Sequence, residues 1–332
     1  MKKLILFVVS SFVIFSSSGG FFENSILADE LKERVDSLFI KACGGLEKYR
    51  ELAEPSKEAL IEMGEEAVPY LLEKLNIQSA REKWTLIDIV SKIGEPAVMP
   101  LIESLRCDNK DEVKLASRIL GDIKDKRAVS PLIELLNEKD FNTRSYACES
   151  LGKIGDTTAF IHVSSCLKDS VEVVRKSAAV ALGKMSAGSI GKDSRAIPYL
   201  IEGLSDPHFS VRMTSAEALV EIGEPSVKPL IELLNHSQTG HPPTDTIAVY
   251  LAIESLGKLK EKRAVKPLLK KLEDNDWATR AFTVEALGEI GDKNGSALLT
   301  IKGIKAIRNL KKRETHPFVL KKIEEVLGKT EK

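Results

Sequence analysis

Glu149-Ser150-Leu151-Gly152-Lys153-Ile154-Gly155-Asp156 returns as Glu285-Ala286-Leu287-Gly288-Glu289-Ile290-Gly291-Asp292, and weaker copies fill most of the chain between Lys57 and Leu298. The copies align on one landmark, a turn between two helical stretches. It reads Met63-Gly64, Ile93-Gly94, Ile123-Lys124, Ile154-Gly155, Met185-Ser186, Ile222-Gly223, Leu259-Lys260 and Ile290-Gly291. Subtracting neighbouring positions gives steps of 30, 30, 31, 31, 37, 37 and 31 residues. A fixed period between roughly 20 and 50 residues marks a solenoid.

Each repeat holds two amphipathic segments. Before the turn, Thr143 to Leu151 carries small and apolar residues at three- and four-residue intervals, the spacing of one helix face. After it, Ala128 to Leu136 shows the same period but is too short to be stable alone in water. These are helices A and B of the repeat. Neither buries its apolar face without the next repeat, so the repeats must stack. The predicted fold is all-α, a right-handed solenoid of about eight helix pairs. Gly64, Gly94, Gly155, Gly223 and Gly291 stand where helix A should close through a left-handed residue. Pro96 and Pro225 suit a first helical turn, and Pro69, Pro100, Pro131, Pro198, Pro229 and Pro267 mark the start of helix B after a short irregular turn.

The pattern, seen in Val173 to Lys184 and in Ala264 to Leu269, resembles the HEAT family, specifically the short HEAT-like repeats of the phycobilisome-lyase type. The resemblance spans roughly Lys57 to Lys312. It implies the fold but not the function, because such modules serve scaffolds, lyases and hydroxylases alike. It also implies a structural task for Arg144, Arg175, Arg212 and Arg280, which share one register of helix A and follow Asp140, Asp169, Asp206 and Asp276. In similar repeats such pairs tie consecutive repeats together, a task suited to the arginine fork. An anion-binding ladder is the alternative; against it, the same register holds Lys83, Val113 and Val249.

The 49 basic and 49 acidic residues cancel, so net charge does not indicate nucleic-acid binding. Met1-Lys2-Lys3, the apolar run Leu4 to Phe15 and the small residues Ser16 to Gly20 have the three parts of a secretory signal. The expected domains are a signal over 1–28, cleaved after Ala28 with Gly20 as the alternative, a helical cap over 29–56, the solenoid over 57–312 and a capping helix over 313–332. Within the first cap, Asp29 to Cys43 and Leu46 to Ala53 read as helices. An uncleaved anchor is the alternative and the sole route to membrane contact. Export places Cys43, Cys107, Cys148 and Cys166 in an oxidising setting. Cys148 and Cys166 nevertheless fall at core registers and read as small hydrophobes.

Chemistry is sparse. The inserted loop Asn235 to Asp245 holds His236 and His241, with Asp245, as a weak metal-ligand candidate whose spacing fits no established pattern. His162 stands where six other repeats have proline and has no catalytic companion. No histidine precedes a glutamate, which removes the hydroxylase reading that the resemblance raises. No cofactor is expected. Glu73, Glu103, Glu134, Glu202 and Glu232 fall at one position of helix B, and Lys270 breaks the series. They read either as an acidic ridge along a partner groove or as ordinary helix-surface glutamates. The expected function is an exported, monomeric, non-catalytic scaffold that binds a protein or peptide with basic residues. The alternative is an enzyme, bilin-lyase-like or metal-dependent, centred near His236 and His241.

Overall fold

The computed structural model describes residues 20–188, 193–236, 246–291 and 297–330. Every regular element among them is helical, and the chain forms two compact units, Met1–Pro100 and Leu101–Lys332. In the first unit, α1 (Gly20–Ala42) lies against α2 (Ala53–Met63) and α3 (Val68–Leu72), and α4 (Ala80–Ile93) packs on α2. Val35, Phe39 and Ala42 of α1 are buried together with Leu60 and Leu71, so α1 caps the first repeat. Two details differ from the sequence reading. The first helix starts at Gly20 rather than Asp29 and so runs through Ala28. The short helix expected at Leu46 to Ala53 is only a 3-10 turn at Glu47–Tyr49, and α2 begins at Ala53 with Pro55 in its first turn. There a missing N–H costs nothing, so the proline begins this helix instead of preceding it.

α5 (Val98–Ser104) spans the boundary of the two units. The second then runs α6 (Lys110–Ile123), α7 (Val129–Leu135), α8 (Phe141–Ile154), α9 (Phe160–Ser165), α10 (Glu172–Ala187), α11 (Ile197–Gly203), α12 (Phe209–Ile222), α13 (Val227–His236), α14 (Thr246–Leu259), α15 (Val265–Lys271), α16 (Trp277–Gly291), α17 (Ala297–Lys311) and α18 (Pro317–Thr330). The A helices α6, α8, α10, α12, α14 and α16 stack each on the next, with the shorter B helices in a second layer. α18 packs on α16 as a further A helix would, burying Val319, Ile323 and Val326. This is the helix-pair solenoid that the period requires.

The A-to-B turn is a 3-10 turn reached by two routes. At Gly94 and Gly223 the backbone takes φ 76°, ψ −124° and φ 85°, ψ −132°, a region closed to residues with a Cβ. A Glu-Pro pair follows each. At Lys124 and Gly155 the backbone is left-handed α (φ 63°, ψ 29° and φ 72°, ψ 15°), which lysine tolerates at a cost of about 1–2 kcal/mol. Here the next residue, Asp125 or Asp156, accepts the backbone N–H two positions on. That is why the repeat accepts lysine at Lys124 and Lys260. The helix before Met185-Ser186 runs on to Ala187.

A second glycine of the repeated phrase does more for the fold than the one at the turn. A Cβ built on Gly152 would lie 2.5 Å from Ala181 Cα, and one on Gly183 would lie 2.8 Å from Ala218 Cβ. Gly121 meets Ser150 and Gly257 meets Ala286 in the same way. Neighbouring A helices therefore touch backbone to small side chain at this level, and only glycine leaves the room.

Candidate partner-binding surfaces

The arginine register ties repeats together. Arg144 holds Asp169 of the next repeat through Nε and Nη2 at 2.8 and 3.0 Å, and its Nη1 donates to the carbonyls of Glu138 and Lys139. Arg175 repeats this on Asp206 at 2.7 and 3.0 Å, and Arg280 on Glu314 at 2.7 and 2.9 Å. The guanidinium planes are consumed by these forks, which leaves no anion-binding ladder at Arg144, Arg175 or Arg280. Arg212 keeps the carbonyl pair, Asp206 and Pro207; residues 237–245, which precede the next A helix in sequence, lie outside the described residues.

The four aspartates divide between two tasks. Asp169 and Asp206 sit six residues before an arginine and receive the fork of the preceding repeat. Asp140 and Asp276 sit four residues before one, and each caps its own helix, accepting from Thr143 N at 2.9 Å and Thr279 N at 2.7 Å. Among the described residues, Asp140 and Asp276 thus receive no arginine fork. Where Val249 replaces the arginine, Tyr250 takes over the tie by donating to Asp276 at 2.7 Å. Burial alone would push Asp169 and Asp206 up, but the arginine forks and the N–H groups of Val171 and His208 outweigh it and hold both below the usual carboxylate range. The Arg280 fork is stronger still in effect, and brings Glu314 down to about 2.

The B-helix glutamates are exposed. In the second unit Glu103, Glu134, Glu202 and Glu232 each stand five residues after the first residue of α5, α7, α11 and α13. Glu232 has a loose pairing with Lys228 at 3.8 Å, and Glu103, Glu134 and Glu202 have no ion pair among the described residues. In the first unit Glu73 is exposed too, but Lys32 of α1 pairs with it. Glu73 therefore differs from the rest, because the cap supplies its counter-charge.

A second surface went unread in the sequence. Each A helix from α8 onward begins with an exposed apolar side chain, Phe141, Val173, Phe209, Ile247, Trp277 or Phe318. Trp277 stacks on His316 with ring centroids 4.2 Å apart and meets Phe318 edge-on at 5.7 Å. The residue alternates between two adjacent positions of the helix start, which hides it from a strict register count.

The candidate ligands His241 and Asp245, and the side chain of His236, lie outside the described residues, as do the basic start and apolar run of the N-terminus. Among the described residues no group of three or more His, Cys, Asp or Glu side chains is placed to hold a metal ion, and no helix is long and apolar enough to cross a membrane. His162 is exposed on α9, as its proline register implies. All four cysteines are free thiols, with Cys148 and Cys166 buried at their expected core positions. The adjacent Cys166 and burial hold the Cys148 thiol well above its ordinary range.

Stacked helix pairs joined by arginine forks define an α-solenoid of the HEAT type. HEAT repeats match residues 98–183, 185–240 and 244–301, and the chain belongs to that family. Over 140 residues it is 32% identical to an uncharacterised phycocyanin operon protein Z of Pseudanabaena tenuis, covering 42% of this chain and 68% of that one. The fold is similar to that of the karyopherin Kap121p bound to the extreme C-terminus of the phosphatase Cdc14p, at TM-score 0.58 and 13% identity over 90% of this chain and 37% of the karyopherin. A complex of CpcE and CpcF of phycocyanin lyase from Nostoc is 21% identical over 73% of this chain and 93% of that one, at TM-score 0.39.

Proposed function

We propose that this protein is an exported, non-catalytic scaffold that holds a basic protein or peptide along its B helices. The observation that carries the reading is the recurrence of exposed glutamates at one position of α5, α7, α11 and α13, three of them without an ion pair among the described residues. Helix layers at usual interaxial distances set Glu103 and Glu134, and Glu202 and Glu232, about 10 Å apart, while Ser165 of α9 interrupts the row between Glu134 and Glu202. Their potentials add at low ionic strength and are screened beyond about 8 Å at physiological salt. Binding through them therefore weakens as salt rises. Export rests on the three-part N-terminus, and N-terminal sequencing of the mature protein should begin near Asp29; an intact Met1 on a cytoplasmic product counts against it.

The test is crosslinking in the native envelope, followed by affinity measurement with the purified captured protein. Reversing Glu103, Glu134 and Glu202 to lysine should abolish binding and leave helicity and melting unchanged. Unaltered affinity in that variant removes the stripe from the binding surface. A second reading, action on a bilin-bearing protein, is favoured by the similarity to the phycocyanin operon protein. Covalent transfer of a bilin to an apo-antenna protein by this chain would distinguish it from the scaffold.

A further inference from the structure

From α6 to α16 the contact glycine of the A helices is missing once; in the first unit α2 has Ile61 and α4 has Ser91 at that position. Gly121, Gly152, Gly183, Gly257 and Gly288 share a register in α6, α8, α10, α14 and α16, and α12 has Val220 there. Opposite it on α14 stands Ser255, the counterpart of the Ser150, Ala181, Ala218 and Ala286 that the glycines touch. Those contacts have no room even for a methyl group, so a valine holds the two helices apart. The structure has a groove of about 220 Å³ at this point, between α12 and α14. Its wall is mainly apolar, with Met213, Ala216, Val220 and Leu251, and its rim carries Glu217, Glu221, Glu254 and Lys258.

The rim is acidic. Glu254 is paired with Lys258 at 2.7 Å, which leaves Glu217 and Glu221, both exposed, in excess. Negative potential extends to the next A helix, where burial and then Glu285 push Glu289 up, with Glu254 adding to the rise against Lys258. The groove is below the roughly 300–1,000 Å³ of small-molecule sites. It suits one large apolar side chain.

We propose that this groove is a docking site for a peptide segment that inserts a single large apolar side chain and sets a flanking lysine or arginine against Glu217 and Glu221. It lies on the A helices and is independent of the B-helix glutamates. Burial of the apolar group supplies affinity, and the carboxylates select against acidic flanks.

The test uses the full chain and a random dodecapeptide display library. Enriched peptides should carry Leu, Ile, Met, Phe or Trp next to Lys or Arg. They should lose at least tenfold in affinity on the Glu217→Lys/Glu221→Lys variant and on Val220→Gly, which restores the glycine contact and closes the groove. Circular dichroism checks that both variants keep their helicity, and the charge variant stands alone if Val220→Gly does not fold. Peptides without that signature, or peptides that bind both variants as well as the parent chain, overturn the proposal. Loss only on the Glu103, Glu134 and Glu202 reversal overturns it too, and assigns the peptides to the B helices.

Discussion

Replacing Arg175 by alanine should do more damage than any other single loss of charge in the middle of the second unit. The side chain is 10% exposed, and it bridges two repeats with two bonds to Asp206 and two to the carbonyls of Asp169 and Ser170. Alanine leaves the Asp206 carboxylate, whose side chain is 9% exposed, with the His208 N–H as its remaining partner. Breaking a buried pair from one side costs about 3–5 kcal/mol, because the other charge stays buried. Water entering the vacated space offsets part of this for the carbonyls, so about 3 kcal/mol is expected. The lost energy belongs to an interface between repeats, and a stack is held as one cooperative array by such interface terms. Urea unfolding followed by circular dichroism should therefore become shallower or split, and hydrogen exchange should rise first in α10 to α12. Asp206→Ala in the same background should recover part of the loss, giving a coupling of about 1.5 kcal/mol or more in a double-mutant cycle. Arg195 pairs with Asp193 at the surface, and its replacement by alanine should leave the midpoint unmoved. An Arg175→Ala variant that unfolds like Arg195→Ala, or a coupling under about 0.5 kcal/mol, would refute the idea that the forks hold the repeats together.

The Glu314 carboxyl lies near 2 in the folded protein because of Arg280, against 4.5 ordinarily, so its contribution is fully present above about pH 4.5 and is lost as pH falls towards 2. The shift corresponds to roughly 3 kcal/mol, and Glu314→Gln should flatten the acid limb of stability in that window; an unchanged acid limb would count against the tie between α16 and the residues before α18. Ala179 has no exposed surface and Glu134 is exposed, so Ala179→Glu should destabilise by about 3–5 kcal/mol and Glu134→Ala by no more than about 0.5 kcal/mol. Equal shifts in urea midpoint for the two would mean that the helix faces are misassigned.

The repeat period by itself determined the helix pairs, the turn positions other than those at Met185-Ser186 and Gly291, which lie inside α10 and α16, and the core registers of Cys148, Cys166 and Ala179, because local amphipathic spacing and stacking leave no other way to bury those faces. The resemblance to HEAT-like repeats, rather than the period, marked Arg144, Arg175 and Arg280 as ties. It did not separate Asp169 and Asp206, which receive forks, from Asp140 and Asp276, which cap helices. A shift of two residues decides whether an arginine of the preceding repeat reaches the carboxylate; Asp276, which caps its own helix, is tied to the preceding repeat through Tyr250 instead, and such ties exist only once the helices are stacked. The same holds for Lys32 beside Glu73, for the apolar side chains that begin the A helices, and for the groove at Val220. In sequence Val220 is one apolar residue in place of a glycine. Its consequence appears only where two backbones approach within about a methyl group of each other, a distance that tertiary packing sets and local sequence does not encode.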